Sequence, residues 1–187
     1  MVPDRVERAA AVAAESGFTL SCDDDVGRLL AVLAAAVPPH GRILELGTGC
    51  GVGLAWIVHG LGARDDVDVV SIERDAKSVA CARRNTWPSF VSIVEGDALV
   101  LMPASGIFDL VFADAEGGKW DGLDTTIATL APRGLLLVDD MTPRRWENER
   151  HRVNTEAVRA RLLSDRHLVA TEIAHGTGVV LCTRRPR

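Results

Sequence analysis

The sequence predicts an α/β fold: a doubly wound, mostly parallel sheet of seven strands, with helices on both faces and an antiparallel hairpin at the C-terminal end. Three observations predict it. From residue 42 onwards, short β-rich runs alternate with longer stretches that can hold crossover helices, the pattern of a parallel sheet covered on both sides. A cluster of glycines falls where the first strand should turn into a helix. The last two β-rich runs are separated by too few residues for a crossover and must pair antiparallel.

The composition agrees. With 187 residues, 47% of them apolar, 25% charged and a net charge of -5, the chain can bury a full core without a metal or disulfide staple. Disordered and collagen-like classes are excluded. No repeat and no linker divides the chain, so residues 1–187 are expected to form a single domain. The longest apolar stretch, Leu29 to Val37, is about half the length of a membrane span. The N-terminus carries acids and lacks the apolar run of a secretory signal, so a cytoplasmic location is expected. Cys22, Cys50, Cys81 and Cys182 form no ligand pattern and are expected to be small buried hydrophobes.

In chain order, Asp4 followed by Glu7 predicts a capping box opening a helix over residues 4–15. Val26, Leu29, Leu30 and Leu33 mark one face of a second helix, which Pro38 and Pro39 stop. Residues 1–39 are thus two helices ahead of the core, expected to cover an acceptor pocket. The core, residues 40–187, holds strands at 42–46, 67–72, 91–94, 108–112 and 134–138, then the hairpin strands 167–173 and 177–182 about a turn at His175 and Gly176.

The densest signal is Gly47, Gly49, Gly51 and Gly53 after the first strand. Glycines there let the backbone approach a ligand that a Cβ would block. In neither register does the cluster fit the G-x-G-x-x-G of dinucleotide binding, and no Lys-Ser/Thr pair follows it as in a P-loop. Glu73 ends the second strand, 20 residues beyond Gly53, where an acid accepts both hydroxyls of a ribose. A nucleoside without a pyrophosphate remains. Asp97, ending the third strand, can accept from an adenine amino group, and Glu45, Glu73, Asp97 and Asp114 together form an acidic rim suited to a cationic cofactor.

These residues resemble the class I S-adenosylmethionine-dependent methyltransferases, from about residue 40 to the C-terminus. Glu45-Leu-Gly-Thr48-Gly-Cys-Gly51 is similar to their first motif, Ser71-Ile-Glu73 to the ribose acid, and Gly96-Asp97-Ala98 to the turn that contacts adenine. Within the class, Phe108 to Asp114 and Leu130 to Asp140 resemble the small metal-dependent O-methyltransferases related to catechol O-methyltransferase. The resemblance implies a Rossmann-like fold, S-adenosylmethionine as cofactor, and transfer of a methyl group to a hydroxyl of a small, aromatic or otherwise hydroxylated acceptor. It also implies cofactor contacts from Glu45, Gly47, Thr48, Gly49, Gly51, Gly53, Glu73, Asp97, Ala98 and Asp114. Relatives of this type are often dimers, so a homodimer is an open expectation.

The resemblance carries over a second site. Asp114 and Asp139, with Asp140 where the family usually has Asn, are implied as ligands of Mg²⁺ or another divalent cation. Carboxylates emerging from adjacent strands, roughly 4.8 Å apart, would converge and repel unless an ion relieved them. Lys119, one of two lysines, lies five residues after Asp114, and the family places its general base there at a spacing two residues shorter. Lys119 and Asp114 are the expected catalytic residues. Trp120 and Trp146 are candidates for an aromatic wall, whereas Trp56 and Trp87 read as packing residues. Two other functions stay open: RNA modification, with its basic face between Arg144 and Arg152, and a non-catalytic cofactor-binding module. The mildly acidic chain makes nucleic-acid binding the lesser expectation.

Overall fold

The computed structural model describes residues 1–143 and 147–186. The chain begins with α1 (Asp4–Glu15) and α2 (Asp24–Ala35), then alternates β1 (Arg42–Leu46), α3 (Val52–Leu61), β2 (Asp68–Glu73), α4 (Ala76–Ala82), β3 (Val91–Glu95) and α5 (Ala98–Ser105). It continues through β4 (Phe108–Ala113), α6 (Glu116–Lys119), α7 (Leu123–Ala128), β5 (Leu130–Val138), α8 (Glu149–Ser164), β6 (Leu168–Ile173) and β7 (Val179–Arg184). The seven strands form one sheet in the order β3-β2-β1-β4-β5-β7-β6. The first five are parallel, and β7 runs antiparallel to both β5 and β6. The fold class expected from the sequence is the one observed.

Strand order reverses at β1: the chain builds outward through β2 and β3, then returns to the other flank of β1 with β4. Two crossovers therefore diverge from the carboxyl ends of β1 and β4, leaving the crevice in which open α/β sheets take their ligands.

Side-chain alternation along the strands sets the layers. Ile43, Val69, Leu110, Phe112 and Leu137 face one side, where Val26 and Leu30 of α2 and Leu54 and Ile57 of α3 cover them. Leu44, Leu46, Val111, Ala113, Leu136 and Val138 face the other, against Met102 of α5, Leu123 of α7, and Val158 and Leu162 of α8. Val6, Ala9 and Ala13 of α1 pack outside this sandwich on Val52, Ala55 and Trp56. Among the described residues no helix is long and apolar enough to cross a membrane.

Two local expectations are corrected. The chain enters α1 one residue early, with Pro3 at the N-cap and no side-chain cap, so Asp4 is already helical and no capping box forms. Its charge, with that of Glu7, still favours the helix N-terminus through the dipole. Cys50 and Cys81, expected as separate hydrophobes, form a disulfide with their Cα atoms 5.1 Å apart. Cys22 and Cys182 are free.

The disulfide ties the glycine-rich turn to α4. Closing a segment of separation 31 restricts the unfolded chain, for a gain of about 3–4 kcal/mol. Reduction should therefore lower the melting temperature by roughly 7–14 °C for a domain of this size. Scanning calorimetry with and without reductant checks it, and coincident transitions would mean the bond contributes nothing.

Candidate functional site

The turn after β1 is shaped by backbone that only glycine tolerates well. Gly47 has φ 97°, and a Cβ on it would stand 2.6 Å from the Asp114 carbonyl oxygen. Gly51, φ 93°, is the N-cap of α3. Between them the Gly49 N–H donates to Glu73 Oε2 at 2.9 Å, while Asp75 N–H donates to Glu73 Oε1 at 2.9 Å. The carboxylate ending β2 thus pins the glycine turn from the side.

Glu45 is not on the rim, where the sequence places it, but beneath it. In the β1–β2 register it lies opposite Ser71, whose hydroxyl donates to Glu45 Oε2 and shares a 2.5 Å hydrogen bond with Thr48 Oγ1. Glu45 is fully buried, and its Oε1 has no partner among the described residues. A Cβ on Gly53 would meet this oxygen at 2.5 Å, so a larger residue there would have to displace the Glu45 carboxyl. Burial is the main cause pushing the Glu45 carboxyl up to about 8; the Ser71 hydrogen bond opposes it and the Glu73 charge adds to it.

Gly47, Gly49, Gly53, Glu45 and Glu73 line a crevice of about 380 Å³ together with Asp75. A smaller recess of about 100 Å³ adjoins it at Glu73, between Gly96, Asp97, Ala98 and Gly117. Asp97 caps α5 by accepting from Leu99 N at 2.9 Å through one oxygen, which leaves the other for a ligand. Of the residues predicted for cofactor binding, all but Gly51 line this crevice or the recess beside it. Trp87, by contrast, packs below Gly51, and Trp56 is buried between helices, both as packing residues.

A second cavity, about 450 Å³, adjoins the first. It is bounded by Asp114, Lys119 and Trp120 after β4, by Asp139 and Asp140 after β5, by His151 of α8, by Thr177 and by Thr19–Ser21. The two openings share Leu20, Ser21, Asp114, Ala115 and Glu116 as a common wall. It is the segment between α1 and α2 that lines both openings, while the helices themselves pack on α3. Trp120 stands edge-on to His151 with ring centroids 4.5 Å apart, and its buried indole N–H has no partner among the described residues. Trp146 and Arg144 lie outside the described residues.

The acids converge as the sequence expects. Ala113 pairs with Val138 across β4 and β5, so Asp114 and Asp139 leave the sheet at the same level. Asp139 accepts from the Asp140 N–H at 2.6 Å and from the Thr177 hydroxyl. Burial, reinforced by the Asp140 charge, pushes the Asp139 carboxyl up to about 6. Asp114 is also raised, by burial first, with Lys119 opposing. Thr177 escaped the sequence reading because it precedes a strand about 40 residues downstream; only the antiparallel pairing of β7 with β5 brings it here.

The residues expected to hold a metal, Asp114, Asp139 and Asp140, lie around Lys119. Lys119 Nζ lies 3.3 Å from Asp140 Oδ2, 3.3 Å from the Asp139 carbonyl oxygen and 3.8 Å from Asp114 Oδ1. Among the described residues no group of three or more His, Cys, Asp and Glu side chains is placed to hold an ion. The carboxylates of Asp114 and Asp140 are directed at an ammonium while that of Asp139 is held by the Asp140 N–H and Thr177, and as arranged they do not fit a resident divalent cation.

Residues 44–141, just over half of the chain, match the family described as "Methyltransferase domain". A catechol O-methyltransferase of Mycobacterium tuberculosis is 34% identical over 149 residues, covering 75% of this chain and 66% of that enzyme. The chain spans 44–66% of the length of the curated relatives it matches. The cofactor-bound Rv0187 from MTB superposes with a TM-score of 0.86 at 24% identity, over 100% of this chain and 92% of that one. The O-methyltransferase TomG from Streptomyces achromogenes, in complex with SAM, follows at 0.82 and 21%, over 99% and 91%. These likenesses show a shared Rossmann-like fold. Because the matched stretch contains the glycine turn, Glu73, Asp97 and the acids after β4 and β5, the chain belongs to the methyltransferase domain family.

Proposed function

We propose that this chain transfers the methyl group of S-adenosylmethionine to a hydroxyl of a small molecule seated in the 450 Å³ cavity. The observation that carries the reading is the wall shared by the two openings: a sulfonium methyl in the glycine-lined crevice would face an acceptor across Asp114 and Ala115. In this reading Glu73 takes the ribose hydroxyls and Asp97 the adenine amino group. Glu45, with its unpartnered oxygen, would ionise as the cationic end enters and then supply a negative charge to it. The bound SAM of TomG and the name of the tuberculosis relative support the same assignment.

The step is a single displacement. The acceptor oxygen forms a C–O bond as the methyl C–S bond breaks, the sulfonium becomes a neutral thioether, and the acceptor proton leaves to a carboxylate. Asp139, pushed up to about 6, is ionised at neutral pH and has the proton affinity a general base requires. The protein's remaining contribution is alignment.

The cavity walls carry Asp23, Asp114, Glu116, Asp139 and Asp140 against Lys119 and His151. That balance favours a neutral or cationic acceptor over an anionic one. Trp120 gives a flat face for an aromatic ring. Of the basic face expected between Arg144 and Arg152, Arg150 is engaged by Glu116 and by the Trp120 ring, which weakens the case for an RNA-binding face. The test is transfer of labelled methyl from S-adenosylmethionine to a panel of neutral and cationic phenols and alcohols. Label in the small-molecule product is expected; cofactor binding with no transfer across the panel would replace the enzyme by a cofactor-binding module.

A further inference from the structure

We propose that Lys119 is the resident cation of this site: its ammonium stands where carboxylates from β4 and β5 would otherwise share a divalent ion, and the chain works without one. The inference rests on the methyltransferase reading above and deepens it. In the sequence Lys119 looks displaced, five residues past Asp114. The backbone shows how it returns. Gly117 and Gly118 leave helical geometry inside α6, Gly118 at φ 95°, and a Cβ on Gly118 would stand 2.5 Å from Leu46 Cδ1. The Gly118 N–H donates to the Asp121 carbonyl at 2.6 Å, and Thr126 Oγ1 donates to the Gly118 carbonyl at 2.7 Å. This fixed kink turns the lysine stem inward until the residue is 4% exposed.

An ammonium has three donors and no acceptor. Here three oxygens surround it: Asp140 Oδ2 and the Asp139 carbonyl within hydrogen-bond reach, and Asp114 Oδ1 at ion-pair distance. Asp140 holds φ 63°, a left-handed conformation uncommon outside glycine, and its carboxylate reaches the lysine. Isolated buried charges are costly, and converging ones of opposite sign offset each other. A divalent ion entering the same space would have to expel the ammonium or be repelled by it. The consequence reaches the substrate. An ammonium supplies a positive charge and a hydrogen bond but no open coordination positions, so an acceptor with one hydroxyl suffices and a chelating pair is not needed.

Mn²⁺ is the probe, titrated into the full chain and followed by the paramagnetic resonance signal of the free ion. The wild type should leave that signal unchanged. Lys119→Ala, which opens the carboxylates, should take up one Mn²⁺ per chain, at least about tenfold more tightly than the wild type, with a melting temperature that rises with the ion. If Lys119→Ala does not fold, Lys119→Gln is titrated in its place. Stoichiometric Mn²⁺ uptake by the wild type that Asp139→Asn abolishes would overturn the proposal, as would a folded Lys119 variant that gains no site. Binding of S-adenosylhomocysteine, measured on the same samples by calorimetry, tests the functional reading separately: its absence in the wild type would sink that reading while the Mn²⁺ result still decides the place of Lys119.

Discussion

Glu73→Ala is expected to raise the Kd for S-adenosylmethionine by at least about 100-fold. Two hydrogen bonds from the ribose hydroxyls to an ionised carboxylate are each worth roughly 1.5–3 kcal/mol, and every 1.4 kcal/mol or so is tenfold in affinity. The structure adds a second cost. Glu73 Oε2 already accepts from the Gly49 N–H and Oε1 from the Asp75 N–H, so truncation also releases the glycine turn that must close on the ligand. Glu73→Gln keeps one acceptor and the side-chain volume, and should lose about tenfold. Titration calorimetry with both variants measures the pair of values. Equal affinity for wild type and Glu73→Ala would remove the ribose from this carboxylate, and with it the orientation of the cofactor in the crevice.

Where the sequence spoke clearly, the feature was local. The β-rich runs are seen as strands because their apolar patterns and turn residues act within a few positions, and Glu73 is legible because it ends such a run at a fixed distance from the glycines. Asp114 and Asp139 converge because two parallel strands leave the sheet at one level. What stayed hidden depends on several elements at once. Lys119 sits at the wrong spacing for its place, and only the Gly117–Gly118 kink corrects it. Thr177 comes to Asp139 through strand pairing between distant segments. His151 carries no pattern of its own and gains meaning only from α8 lying beside Trp120. Cys50 and Cys81 meet because α4 packs against the glycine turn, a contact that no spacing of cysteines announces. Asp4 failed as a cap for the reverse reason: a helix start shifted by one residue changes which side chain can reach the free amides.

Cofactor binding should expel a proton, and Glu45 is its source. The carboxyl is fully buried with one oxygen unpartnered and is pushed up to about 8, so the free protein holds it protonated at neutral pH. A sulfonium and an ammonium entering the crevice favour the ionised form. Below about pH 8 the observed Kd should therefore fall roughly tenfold for each unit the pH rises, and level off above it. Stability of the free protein runs the other way. A carboxyl whose folded pKa exceeds its unfolded value holds an extra proton in the folded state between the two, so stability drops as pH rises from about 4.5 to about 8. Asp139, raised from 3.8 to about 6, adds a drop in the lower part of that window. Glu45→Gln should flatten the Kd profile and remove the upper part of the stability slope. The check is calorimetry at pH 7 in two buffers of different ionisation enthalpy: the wild type should release close to one proton on binding S-adenosylmethionine, less on binding S-adenosylhomocysteine, which lacks the sulfonium charge, and Glu45→Gln none. Equal apparent enthalpies in both buffers for the wild type would mean that the buried carboxyl does not sense the cofactor.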